Sequence, residues 1–219
     1  NLTGGTGADS FTFSNGGRLS GAVAGGSGTD TLIGDDDGNS FAVTGSGAGT
    51  IAGKASGFTG IENLTGGAGV DTFAVGASGV IGTLSGAGGD DSFSLTAGGT
   101  VTAIDGGAQT GSDTLVADSD VVLTAANAGT LSDFSGASFS GIEAYTGSGN
   151  TVQGLATADT VVITGADALT IASIAMTGTD SVNTMAGNAS ITINSGGSLS
   201  GSLNGGDDSN TLIADDDGN

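Results

Sequence analysis

The sequence predicts an all-β fold, and within that class a parallel β-solenoid whose coils take about 20 residues each. Three observations predict it. Glycine phrases closed by aspartate recur at Asp9, Asp30, Asp71, Asp91 and Asp113, with spacings of 21, 41, 20 and 22. Each phrase runs into a short alternating or apolar segment, as in DSFTF, DTLI, DTFAV, DSFSL, DTLV and DTVVI, and no stretch keeps a helical period. The 219 residues include 46 Gly and no Pro, so the chain can turn tightly while every strand N–H stays available for pairing.

Along the chain, the first strand is SFTF at 10–13, where Phe11 and Phe13 alternate with Ser and Thr. TLI at 31–33 follows the second phrase. The interval of 41 after Asp30 reads as two coils, with residues 45–51 near its middle as a copy that has lost its aspartate. TFAV at 72–75, SFSL at 92–95, TLV at 114–116 and TVVI at 160–163 come next, each too short to bury a face alone. Stacking supplies the missing face, so Phe11, Leu32, Phe73, Phe93 and Leu115 are expected to form one interior ladder while Ser and Thr point outward. A second phrase, FTGIENL at 58–64, returns as FSGIEAY at 139–145 and more faintly as MTGTDSV at 176–182.

A longer period encloses the short one. Residues 16–39 and 196–219 align without a gap at an offset of 180, with 15 of 24 positions identical. Residues 1–219 therefore read as one continuous solenoid segment carrying a super-repeat at that offset, expected to be a piece of a longer tandem array. At one strand spacing per coil, such a unit of roughly nine coils advances about 43 Å.

Composition removes several functions. There is no His, Cys or Trp, and only Arg18 and Lys54 are basic against 23 acidic residues, for a net charge of −21. General bases, thiol nucleophiles and cationic stabilisers of a developing anion are nearly absent, so no enzyme is expected. Nucleic acid is excluded as a partner for want of cations to neutralise phosphate, and no apolar run is long enough for membrane insertion.

The phrase Gly-Gly-x-Gly-x-Asp, followed by a small polar and a large apolar residue, resembles the repeats-in-toxin motif at residues 4–11, 25–32 and 66–73. Residues 86–93 match with Ala at the second glycine. Residues 106–115 match with Gln109-Thr110 inserted, and residues 205–210 close on Asn. In that family the phrase binds Ca²⁺ between coils of a secreted β-roll, but there it recurs every nine residues or so rather than once per coil. GIENL and LTGGAGVDTF are similar in style to the β-strand repeats of very large bacterial surface adhesins and of some S-layer proteins.

Calcium is also argued from the residues. All but two of the 23 acidic residues are Asp, the exceptions being Glu62 and Glu143, and plain surface acidity has no reason to avoid Glu. Aspartates stacked at one corner repel by about 0.9 kcal/mol per pair in water, which a hard divalent cation relieves. The expected ligands are Asp9, Asp30, Asp71, Asp91 and Asp113, together with Asp35, Asp37 and Asn39 of DDDGN and Asp215 and Asp217 of its second copy. Asp118 and Asp120 form a weaker corner of the same sort. The sequons at Asn1, Asn63 and Asn188 read as structural asparagines, stacked at a corner, rather than glycosylation sites.

These readings converge on a structural repeat segment of a large secreted bacterial surface protein: a calcium-stabilised extracellular rod in an adhesin, filament or matrix. Its expected partners are copies of itself or adjacent repeats, end to end or laterally, with cell-surface or polysaccharide ligands as further candidates. An S-layer lattice subunit and a ligand-binding adhesive module are the alternatives.

Overall fold

The computed structural model describes residues 1–108 and 111–215, so Gln109-Thr110 and the tail with Asp217 lie outside the described residues. The chain is all-β. Its 23 strands join in a single sheet, mostly by parallel pairing, as stacked passes of a β-solenoid would, and the one helical element among the described residues is a 3-10 turn at Ser132–Phe134. No described helix is long and apolar enough to cross a membrane.

Parallel pairing in register places like residues on like. One ladder runs Phe11, Leu32, Leu64, Leu84, Ile104 and Phe139. A second runs Phe41, Phe73, Phe93, Leu115, Tyr145 and Met176. All twelve are buried, and each such side chain contributes about 1.5–3 kcal/mol on leaving water. The rings of Phe41 and Phe73 stack with centroids 4.9 Å apart, and those of Phe73 and Phe93 with centroids 5.0 Å apart, which is close to the strand spacing itself.

The single ladder expected from the sequence is thus two. Phe11 and Leu32 lie in one, and Phe73, Phe93 and Leu115 in the other. The cause is residues 45–51, which are no degraded corner. They form the turn and second strand of an antiparallel hairpin, Ser40–Gly45 against Ala48–Ile51. The chain then returns through Phe58–Thr59 and the corner Gly60-Ile61-Glu62. This excursion recurs twice, as Val121–Ala125, Ala128–Leu131 and Ala137–Ser140, and as Thr160–Gly165, Ala168–Ile171 and Ile174–Asn183. Where no hairpin intervenes, parallel partners are close in sequence, as Leu2 with Val23 and Phe73 with Phe93. Where one does, they lie farther apart, as Val23 with Phe58 and Ile104 with Phe139.

The three hairpins share a phrase that sequence reasoning missed: VTGSGAGTI at 43–51, LTAANAGTL at 123–131 and ITGADALTI at 163–171. Gly47, Asn127 and Asp167 carry its left-handed turn, at φ 56, 55 and 49 degrees, residue types that tolerate that region. Each then uses its carbonyl to accept the N–H of Ile61, Ile142 or Thr179, tying the turn to the return corner. Facing side chains compensate in volume: Gly49 lies opposite Phe58, Gly129 opposite Phe139, and Leu169 opposite Met176.

Strand pairings recur at the offset of 180. Leu2 pairs with Val23 and Ser10 with Thr31, and at the offset of 180 Val182 pairs with Leu203 and Ser190 with Thr211.

A β-carbon on Gly129 would lie 2.7 Å from the Phe139 ring and from the Val122 carbonyl oxygen. Gly129→Leu is therefore expected to cost about 1–3 kcal/mol through overpacking. Adding Phe139→Met, which copies the Leu169–Met176 pair, should recover the part due to the ring. Denaturant midpoints of the two variants check this, and equal midpoints would refute the volume pairing.

Candidate functional site

At each corner closed by aspartate the chain leaves one strand, makes a short glycine loop and enters the next, which points the corner N–H along the stacking direction. That N–H needs an acceptor one pass away. Asp9 donates its backbone N–H to Asp30 Oδ1 at 2.7 Å, and Asp30 donates to Glu62 Oε2 at 2.8 Å. A longer run starts at Asn39, which donates to Asp71 Oδ1. Asp71 then donates to Asp91 and Asp91 to Asp113, both at 2.7 Å, and Asp113 donates to Glu143 Oε2 at 3.0 Å. The five predicted corner aspartates are therefore brought together as hydrogen-bonded ladders, each ending on one of the two glutamates.

The second carboxylate oxygen lies inward. Oδ2 of Asp9, Asp30, Asp91 and Asp113 is buried without a hydrogen-bond partner, while that of Asp71 accepts the Gly67 N–H at 2.8 Å. Each Oδ2 folds back over the first glycine of its own phrase. A β-carbon on Gly66 or Gly86 would sit 2.0 Å from Oδ2 of Asp71 or Asp91, so the residue five before the aspartate has to be glycine. Burial raises the carboxyls of Asp71 and Asp113 above the usual range and pushes Asp91, which also faces the charges of Asp71, Asp113 and Asp90, up to about 6.

The chain contains its own substitution experiment. The counterparts of Asp9 and Asp30 at the offset of 180 are Ala189 and Asn210, and the bond persists: Ala189 donates its N–H to Asn210 Oδ1 at 2.9 Å. An acceptor oxygen suffices at that position.

DDDGN is divided among three environments. Asp35 is buried and paired with Lys54, whose ammonium holds its carboxyl below the usual range. Asn39 is buried and donates its amide to the Asp35 carbonyl at 2.7 Å and to Asp71 Oδ1 at 2.9 Å. Asp37 is exposed. Asp215, in the second copy, donates its N–H to the Ile193 carbonyl at 3.2 Å. Asp120 accepts the Thr151 N–H at 2.7 Å and donates its own to Asp133, while the hydroxyl of buried Tyr145 reaches the Ala117 and Ser119 carbonyls next to Asp118.

Calcium takes six to eight oxygens or so. Among the described residues no three acidic side chains converge, and Oδ1 of Asp30, Asp71, Asp91 and Asp113 already faces an N–H donor. As arranged, one carboxylate oxygen of each of these residues serves the hydrogen-bonded ladder.

Sequence reasoning missed the glutamates as ladder ends, and it missed Asp159, which is buried, raised by burial and bonded to the Leu155 N–H at 3.2 Å. Its signal was the five-residue spacing from Gly154, where a β-carbon would again meet Oδ2 at 2.0 Å. The sequon asparagines are structural, but they are not stacked on one another. Asn1, Asn63 and Asn188 accept the N–H groups of Ala22, Thr83 and Ser209 on the adjacent pass. The chain matches no protein-family model and no curated protein.

Asp91→Ala removes the acceptor of a buried N–H and should cost about 1–3 kcal/mol in chemical denaturation, whereas Asp91→Asn should be tolerated as Asn210 is. Because the folded carboxyl of Asp91 titrates above its unfolded value of 3.8, its stabilising contribution is full below about pH 4 and is lost as pH rises through about 6. Melting temperatures recorded across that window should fall for the wild type and fall less for Asp91→Asn. Parallel pH profiles would show that Asp91 is not raised.

Proposed function

We propose that the chain is a structural repeat segment, with its passes closed into coils of a β-solenoid rod, belonging to a large secreted bacterial surface protein such as an adhesin, extracellular filament or matrix component. One observation carries the reading. At the offset of 180 the chain returns to the same strands in the same register, so the unit can stack on itself without a mismatch in the interior ladders or the corner bonds. The aspartate ladders pair each carboxylate with a backbone N–H of the neighbouring pass, so in this reading they act as cohesion.

Coil length in this reading is not uniform. Short passes, such as Leu2 to Val23, alternate with longer ones around each hairpin, such as Val23 to Phe58. Each super-repeat then holds about seven passes and advances about 34 Å along the axis. That replaces the figure of about 43 Å for uniform coils of about 20 residues. Electron microscopy of the native assembly is the test. Filaments with an axial repeat of about 34 Å support the rod, whereas a two-dimensional lattice would favour an S-layer subunit.

A calcium-held rod is the second reading, favoured by the buried Oδ2 atoms of Asp9, Asp30, Asp91 and Asp113, which have no hydrogen-bond partner. Thermal melts followed by circular dichroism in calcium and in chelator separate the two. The ladder reading expects the same β signal and the same midpoint in both. A collapse in chelator would refute it in favour of calcium.

A further inference from the structure

We propose that Lys54 and Asp35 condense into an intramolecular isopeptide bond, an amide between Lys54 Nζ and Asp35 Cγ that staples the first hairpin to the corner beneath it. The inference is independent of the rod reading and of calcium. The ammonium and the carboxylate are in direct contact, with their side chains 12% and 0% exposed. Only two basic residues exist in the whole chain, and this one is half-buried against a carboxylate.

Both reacting groups are held in place. The Lys54 backbone is fixed on two sides, donating its N–H to the Ile51 carbonyl at 3.2 Å and accepting the Leu19 N–H at 2.7 Å. Asp35 Oδ2, which touches the ammonium, also accepts the Gly16 N–H at 3.0 Å, while Oδ1 is buried with no hydrogen-bond partner. The Asp35 N–H and carbonyl are further engaged by Asn39 at 3.3 and 2.7 Å. Well-oriented intramolecular pairs reach effective molarities of about 10⁵ M or more, the scale of advantage that would offset the unfavourable equilibrium of condensation in water. Lysine also suits the step where arginine does not, because a compact amine is a nucleophile once it gives up a proton and a guanidinium keeps its proton.

The step balances without a co-reactant. The ammonium passes a proton to the carboxylate it touches, and the free amine attacks Cγ to form the Nζ–Cγ bond. The transferred proton sits on Oδ2, the oxygen in contact with Nζ, so negative charge develops on Oδ1 as the amine adds, and the Gly16 N–H holds Oδ2 in place as the leaving oxygen. Oδ2 leaves with two of the three ammonium protons as water, Oδ1 becomes the amide carbonyl, and a neutral amide replaces the ion pair, which removes the desolvation cost of two charges. The closed loop encloses Ser40–Gly45 and Ala48–Ile51, so the first hairpin could not be peeled from the stack by force.

Intact-mass measurement of the purified chain tests the proposal, followed by peptide mapping. The expected result is a chain lighter by one water than its sequence requires, with the peptides containing residues 35 and 54 joined. Lys54→Arg, which keeps the charge and cannot form the amide, should show its full sequence mass. Asp37-Gly38 could also lose a water by forming a succinimide, but that loss would persist in Lys54→Arg. A wild-type chain at full mass overturns the proposal, as does a water loss retained in the arginine variant. The wild-type reading stands whether or not the variant folds.

Discussion

Parallel, in-register stacking is the constraint on which the rest of this structure depends. A residue in such a stack sits about 4.8 Å from its counterpart on the next pass, so every choice of side chain is repeated against itself. For apolar residues this is favourable: Phe41, Phe73 and Phe93 stack almost parallel at 4.9 and 5.0 Å. For carboxylates it sets like charges side by side. The ladder resolves the conflict by geometry, since each Asp presents one oxygen to the N–H of its neighbour and turns the other inward over a glycine. The N–H, which burial would otherwise leave unsatisfied, is thereby matched to an acceptor that the same residue type supplies one pass later.

The hairpins act on this stack as phase shifters. Where no hairpin intervenes, one glycine phrase follows directly on the last, as Asp71, Asp91 and Asp113 do. Inserting a hairpin of antiparallel strands moves the next phrase to a different ladder, and the pass that covers Asp30 or Asp113 is then the return corner Gly-Ile-Glu. That corner lacks the five-residue glycine loop, so its acceptor has to reach further. Glutamate supplies one more methylene than aspartate, and Glu62 and Glu143 stand at these two corners. At these two corners glutamate is a matter of reach, while the third return corner, Gly178-Thr179-Asp180, carries aspartate.

How much of this is legible in the sequence follows from which signals are local. The strands after each aspartate, the glycines before it and the offset of 180 are patterns of identity or alternation, and all three can be read directly. The split of one interior ladder into two is not legible, because Phe11 and Phe73 follow near-identical phrases and differ only in what intervenes. Residues 45–51 mislead since Gly45-Ser46-Gly47 resembles the glycine corners, whereas the informative comparison is with 123–131 and 163–171. The destination of the carboxylates is also hidden. Asp35 looks like its neighbours Asp36 and Asp37 in the sequence, and only the fold turns it inward onto Lys54.

The corner ladder also shows what its own side chains are required for. Were charge the requirement, the second copy of the first corner could not be built from Ala189 and Asn210, yet its bond is 2.9 Å long beside the 2.7 Å of the first. What the stack requires there is an oxygen one methylene from the backbone, and aspartate and asparagine both provide it. Buried aspartate then adds a cost that asparagine does not, visible in the upward displacement of Asp71, Asp91 and Asp113 by burial. Repetition explains why the cost is borne so often, since duplication of a phrase copies its carboxylate as readily as its glycines. At the corner where a carboxylate is instead held ionised, the fold has placed one of its only two cations against it, and there the ladder gives way to a pair able to react.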